Sequence, residues 1–281
     1  MFIFHITTTT SRFTTTGNAF GPPGDDTPGA DTLIVDPNAF LITTGALGNG
    51  ADLANTGAWN VTINGSIISV DPTKSGIRLD GLNAALSAIK IGVDGSVQGN
   101  GAGIDLESSA SINNAGRIIA EQLGHAIEII NDGTHTITNS GEISGAAGAA
   151  IVHAVGTSND TVKNSGTISG NVFLSNGNDT VTNSGVISHG QLSLGDGTNR
   201  LTNSGVISDD IICGIGSDTL TDFSILADGS MKSGKITGTI SLGAGDDKFT
   251  GGANSETVQE FTLVGGVLRC TIRQRHHRRH P

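Results

Sequence analysis

The chain has 281 residues and a net charge of −11, with 42 glycines, 6 prolines, one tryptophan and no tyrosine. So few rings exclude a core built on large aromatics. The charge distribution excludes a basic field for nucleic acid: residues 1–260 hold ten Lys and Arg against all 26 Asp and Glu, whereas 261–281 hold five Arg and no acid. The remaining Ile, Val, Leu, Thr, Ser, Asn and Gly suit short strands joined by tight turns, and the acidic body suits cations.

Residues 1–30 are rich in Thr, Gly and Pro and are expected to be mobile. The start MFIFHITTTT has a short apolar run with no basic flank, too short for a signal-peptide core. No stretch approaches the length of a membrane span. From residue 31 to about 62, Leu33–Val35 and Phe40–Ile42 are candidate strands of a first, capping rung, with Trp59 packing near that end. Leu79–Ile91 (LDGLNAALSAIKI) reads as helix-like or as an inserted bend. Cys213 and Cys270 match neither zinc-site nor redox spacing.

The centre of the chain repeats. Asn-Ser-Gly-x-Ile-Ser occurs four times, from Asn139, Asn164, Asn183 and Asn203, with weaker copies at Ile63, Val93, Asn114 and Ser233. A period near 20 to 25 residues is the signature of a solenoid. Each unit divides into about three short strands: one before the turn (such as DTVTN, Asp179–Asn183), the Gly-x-Ile-Ser piece, and a brief apolar run (such as NVFL, Asn171–Leu174). Strands of four or five residues bury a face only when stacked rung on rung. The expected fold is therefore all-β, a right-handed parallel β-solenoid spanning 31–260. The recurrent Asn reads as a turn residue whose ladder adds hydrogen bonds between rungs, with ligand contact as its alternative role.

A second turn recurs between the third strand and the next first strand. Its six copies begin at Ile130, Val155, Leu174, Leu194, Cys213 and Leu242. Position four is Gly in five of them, with Ser158 the exception, and position six is His135, Asp160, Asp179, Asn199, Asp218 and Asp247. Those acids are either strand-end caps in a solvated ladder or a like-charge column that a cation would neutralise.

LGAGDDKFT (Leu242–Thr250) and CGIGSDTLT (Cys213–Thr221) resemble the nonapeptide G-G-x-G-x-D-x-U-x of bacterial repeats-in-toxin (RTX, hemolysin-type) calcium-binding proteins. Across residues 130–260 the resemblance implies calcium at Gly243, Gly245 and Asp247, at Gly214, Gly216 and Asp218, and at Gly177, Asp179 and Asp160. Calcium takes six to eight oxygens in flexible geometry, which carbonyls and carboxylates of stacked turns supply. One departure is that the motif occurs once per rung rather than on two edges. Another is that GGANSETVQ (Gly251–Gln259) replaces the Gly and Asp with Asn254 and Glu256. The NSG rungs look like the passenger stems of autotransporter-like adhesins.

Both resemblances imply an exported bacterial protein, extracellular or at the cell surface, and the RTX one points to a type I system as the route. It is expected to be no enzyme, with calcium and host or cell-surface components as its partners. A calcium-independent adhesin stem and a β-helix carbohydrate-active enzyme are the alternatives. The latter needs paired carboxylates, for which Asp105 with Glu107, and Asp209 and Asp210 with Asp222, are the candidates. His125, His135, His153 and His189 read as satisfied or solvated turn residues. The tail 261–281, with three His and five Arg, departs from the pattern and is expected to be disordered, as if from a truncation or frame change.

Overall fold

In a computed structural model, the described residues are 2–272, apart from 16, 22–30, 45–47, 54–56, 81–85, 123, 154, 226–229, 252–260 and 267–268. The chain is all-β and winds as a parallel β-solenoid. One side is a 13-stranded sheet, and the remaining strands join into an 18-stranded sheet. The larger sheet covers two sides of each rung, because Glu142–His153 and Thr167–Phe173 run unbroken around the bend between them.

The registers follow from the period-two alternation in the sequence. In the first sheet Ile112, Ile137, Val162, Val181, Leu201, Leu220 and Phe249 lie directly above one another, and all are buried. In the second, Ile67, Val97, Ile118, Ile143, Ile168, Ile187 and Ile207 form a matching column. Trp59 is buried near the N-terminal end, with its ring 6.0 Å from Phe4 and 6.3 Å from Phe20.

The NSG turn stacks so closely that side chains are excluded from its glycine. A Cβ on Gly185 would lie 2.1 Å from the Gly166 carbonyl oxygen, and one on Gly205 would lie 2.1 Å from that of Gly185. Glycine therefore recurs because the neighbouring backbone occupies the space a side chain would need.

Rungs of about 20 residues are the basic unit, and the longer ones carry insertions. Opposite Ser169–Asn171, the chain between Ser144 and Ala149 bulges outward with a register shift. The widest spacing, between Cys213 and Leu242, holds a hairpin in which Met231–Ser233 pairs antiparallel with Thr219–Ile225.

Three expectations change. The helix-like stretch is extended where it is described: Ile77–Leu79 and Ser87–Ile91 are strands, and Ser87, Ile89 and Ile91 are buried while Ala88 and Lys90 are exposed. Its alanines suggested a helix, but the alternation follows a strand. The segment expected to be mobile contributes Ile3–Ile6 and Arg12–Thr14, which pair with Asp31–Val35 and Phe40–Thr43. At the other end Phe261–Gly266 and Arg269–Ile272 pair onto Ile240–Gly245 and Lys248–Gly251, so the solenoid continues past residue 260. Residues 22–30, most of GGANSETVQ and the tail from 273 lie outside the described residues.

Candidate metal centre at the glycine corner

Asparagine occupies the inward position at the end of five successive first-sheet strands, where water cannot reach it. Asn114, Asn139, Asn164, Asn183 and Asn203 are all at most 2% exposed. Each Nδ2 donates to the Oδ1 of the next Asn at 2.8 Å, and Asn203 ends the run on Asp222 at 2.6 Å. Each of the first four also donates to a backbone carbonyl just past the turn of the next rung, from Glu142 to Val206. These amides are committed to one another, so the turn-and-ladder role is the one the geometry supports.

The second corner holds the acidic column. Its glycines take backbone conformations that other residues rarely adopt: φ is +147° at Gly177, +154° at Gly216, +77° at Gly243 and +149° at Gly245. A Cβ at Gly216 would sit 1.7 Å from the Gly197 carbonyl oxygen, and one at Gly245 would sit 1.6 Å from that of Gly216. Gly214 lacks the positive φ, but a Cβ there would meet Asp196 Oδ1 at 2.1 Å.

The position-six side chains point inward, not toward solvent. Asp160, Asp179, Asn199, Asp218 and Asp247 are each at most 2% exposed. One oxygen of each successive residue accepts the backbone N–H of the residue one rung earlier. The distances are 2.7 Å from Asp160 to Asp179, 2.9 Å from Asp179 to Asn199, 2.8 Å from Asn199 to Asp218 and 2.9 Å from Asp218 to Asp247. The column is thus a hydrogen-bonded ladder, and the expectation of a solvated one is corrected.

The second carboxylate oxygen is different. Oδ2 of Asp179, Asp218 and Asp247 is buried with no hydrogen-bond partner. At the same place in the ladder, Asn199 has an amide nitrogen, and it donates to the Gly195 carbonyl at 3.2 Å. At Asn199 this place in the ladder faces a carbonyl, a setting that suits an amide N–H, a proton or a cation and would repel a bare carboxylate oxygen. Consistently, Asp179 is pushed up to about 7, by burial first and by the Asp160 charge, with the Asp160 N–H opposing. Asp218 is pushed up to about 6, by burial first and then by Asp247 and Asp196. Burial and the same two acids, Asp218 and Asp247, raise the neighbouring Cys213 thiol.

Asp160 departs from the calcium expectation. Its Oδ1 lies 3.0 Å from His135 Nδ1 and its Oδ2 lies 2.7 Å from His153 Nδ1, so both oxygens are occupied by imidazoles. Burial pushes its carboxyl upward, but the two histidine hydrogen bonds outweigh that and hold it below the usual range. His135 and His153 are buried here, and neither is a solvated turn residue. A sequence signal for His153 existed. Aligned through the register, its position is filled by Leu174, Leu194, Cys213 and Leu242 in later rungs, so an imidazole replaces a core aliphatic.

The carboxylate groups proposed for catalysis are placed as follows. Asp105 is flanked by Arg78 and Glu128 on neighbouring rungs, and Arg78 bonds Glu107 at 2.9 Å and Asp80 at 2.8 Å. Two surface grooves lie elsewhere. One is lined by Arg200, Thr219, Phe223 and Lys248, and the other includes Phe40, Asn64 and Asp94. Neither brings two carboxylates together.

Comparison with known proteins finds no matching family model, no matching curated protein and no matching solved structure. No helix among the described residues is long and apolar enough to cross a membrane.

Proposed function

We propose that the chain is a non-catalytic, exported bacterial solenoid that binds calcium at its glycine corner and serves as a rigid structural or adhesive element. The observation that carries this reading is the set of buried, unpartnered Oδ2 atoms of Asp179, Asp218 and Asp247 in a stack of positive-φ glycine turns. A buried carboxylate oxygen without a partner is costly until something positive lies against it. Calcium supplies that charge and accepts the mixed carboxylate and carbonyl oxygens that such turns offer. The residues that would hold it are Asp218 and Asp247 with the backbone of Gly214–Gly216 and Gly243–Gly245, and Asp179 with Gly177. Asp160 is excluded from this set by its two histidines.

A calcium-independent stem is the second reading, favoured by the unbroken side-chain-to-backbone ladder, which joins the rungs without any ion. Titration calorimetry at pH 7.5 separates the two. The calcium reading expects saturable heat from calcium on the wild type, abolished in the Asp218→Asn/Asp247→Asn double variant and not reproduced by magnesium. Asn199 shows that an amide fits this column, so the variant is expected to fold. Absence of heat in a folded wild type would leave the calcium-independent stem.

A further inference from the structure

The strongest unassigned cluster lies one rung before the acidic column, where two departures from the repeat coincide. His135 stands where later rungs have Asp or Asn, and His153 stands where they have Leu or Cys. The solenoid brings both to the carboxylate of Asp160, and the two rings meet edge to face with centroids 5.4 Å apart. All three residues are at most 2% exposed.

Each imidazole meets the Asp160 carboxylate through Nδ1, His135 at 3.0 Å and His153 at 2.7 Å. The other ring nitrogen of each, Nε2, is buried with no hydrogen-bond partner. Both lie against glycines of the same corner: a Cβ on Gly133 would be 3.2 Å from His135 Nε2, and one on Gly156 would be 2.9 Å from His153 Nε2. Ser175 Oγ also approaches His153 Nδ1, at 3.1 Å. Leaving two buried ring nitrogens without partners is costly.

A metal ion takes imidazole nitrogens as ligands. One ligand atom from each of His135, His153 and Asp160 lies within 4.8 Å of the others. A carboxylate hydrogen-bonded to the far ring nitrogen of a metal-binding histidine is the usual way to orient its imidazole. We propose that His135, His153 and Asp160 form a site for a zinc-class transition-metal ion, with imidazole nitrogens as primary ligands and Asp160 orienting them. Nitrogen donors distinguish it from calcium, which takes oxygen. The site is thus separate from the glycine corner of the later rungs and does not depend on calcium binding there.

Because the cluster is buried, the ion enters as the rungs stack, and binding is coupled to folding. The test therefore refolds the full-length chain from denaturant with zinc or with chelator, followed by dialysis and elemental analysis. His276, His277 and His280 are changed to Gln in all samples to remove the histidines of the tail. The expected result is about one zinc per chain and a higher melting temperature than in the chelator-refolded sample. His153→Leu restores the residue that later rungs use, so it is expected to fold and to retain at least tenfold less zinc. X-ray absorption at the zinc edge of the loaded protein is expected to show imidazole ligands. Negligible zinc in the tail-substituted wild type, an oxygen-only ligand shell, or equal zinc in folded His153→Leu would each overturn the proposal.

Discussion

Replacing Asn183 with Ala removes one link of the buried amide ladder, and the structure allows the cost to be worked out. Asn183 Nδ2 donates to Asn203 Oδ1 at 2.8 Å and to the Val206 carbonyl at 3.1 Å, while its Oδ1 accepts from Asn164 at 2.8 Å. Nδ2 also reaches the Gly185 carbonyl at 3.3 Å but has only two N–H groups, so three hydrogen bonds at a net of about 1 kcal/mol each give about 3 kcal/mol. Neighbouring groups keep other partners. Asn164 Nδ2 retains the Val186 carbonyl at 3.0 Å, and Asn203 Oδ1 retains the Gly205 N–H at 3.2 Å. The penalty for orphaned groups is therefore small, and the lost packing raises the total to about 3–4 kcal/mol. Urea unfolding followed by far-UV circular dichroism, in chelator, measures it. Asn113→Ala on the exposed side of a strand is the control and is expected to change stability by less than about 0.5 kcal/mol. A cost below about 1 kcal/mol at Asn183, or one equal to the control, would refute the argument that the ladder holds the rungs together.

Three further outcomes follow from the same structure. Asp105 is pushed up to about 7, by burial first and then by Glu107 and Glu128, with Arg78 opposing. The folded state keeps a proton that the unfolded chain releases near 3.8, so this group's contribution falls as pH rises between about 4 and 7. Asp105→Asn should change stability little at pH 4 and raise it by up to about 4 kcal/mol at pH 8, read as melting temperature against pH. Gly216→Ala forces a Cβ into the Gly197 carbonyl and should cost at least about 2 kcal/mol in urea unfolding, whereas a neutral result would mean that the corner is not so closely stacked. Trp59 is 1% exposed beneath Phe4 and Phe20, so deleting residues 1–20 should shift its fluorescence to the red, and an unchanged spectrum would count against the N-terminal strands covering it.

The features legible in the sequence are those whose chemistry recurs at fixed spacing. Asn-Ser-Gly announces itself because the amide ladder and the close glycine stack require the same residues in every rung. The apolar position after each Gly-Asp turn is legible for the same reason. Direction is harder to read: a turn with Gly and Asp reads as exposed, and only the register shows that Asp179, Asp218 and Asp247 point inward. The histidine cluster escaped because its members come from different strands of the repeat. His135 and His153 are 18 positions apart in the chain, and Asp160 belongs to the following rung. The end strands escaped because Ile3–Ile6 and Arg269–Ile272 carry no repeat phrase and gain a buried face only from their neighbours. At Ser87–Ile91, local helix propensity outweighed a short alternating pattern that the stacked sheet makes decisive.

The claim that the glycine corner is a calcium site is tested most directly by a crystal structure grown with calcium at neutral pH. The account predicts ions between the stacked turns, bound by Oδ2 of Asp218 and Asp247 and by carbonyls of the glycine turns at about 2.3–2.6 Å. A structure under those conditions with the same turns ordered, no ion at either carboxylate, and Oδ2 within hydrogen-bonding distance of a carbonyl would contradict it, and would show that a proton fills that role.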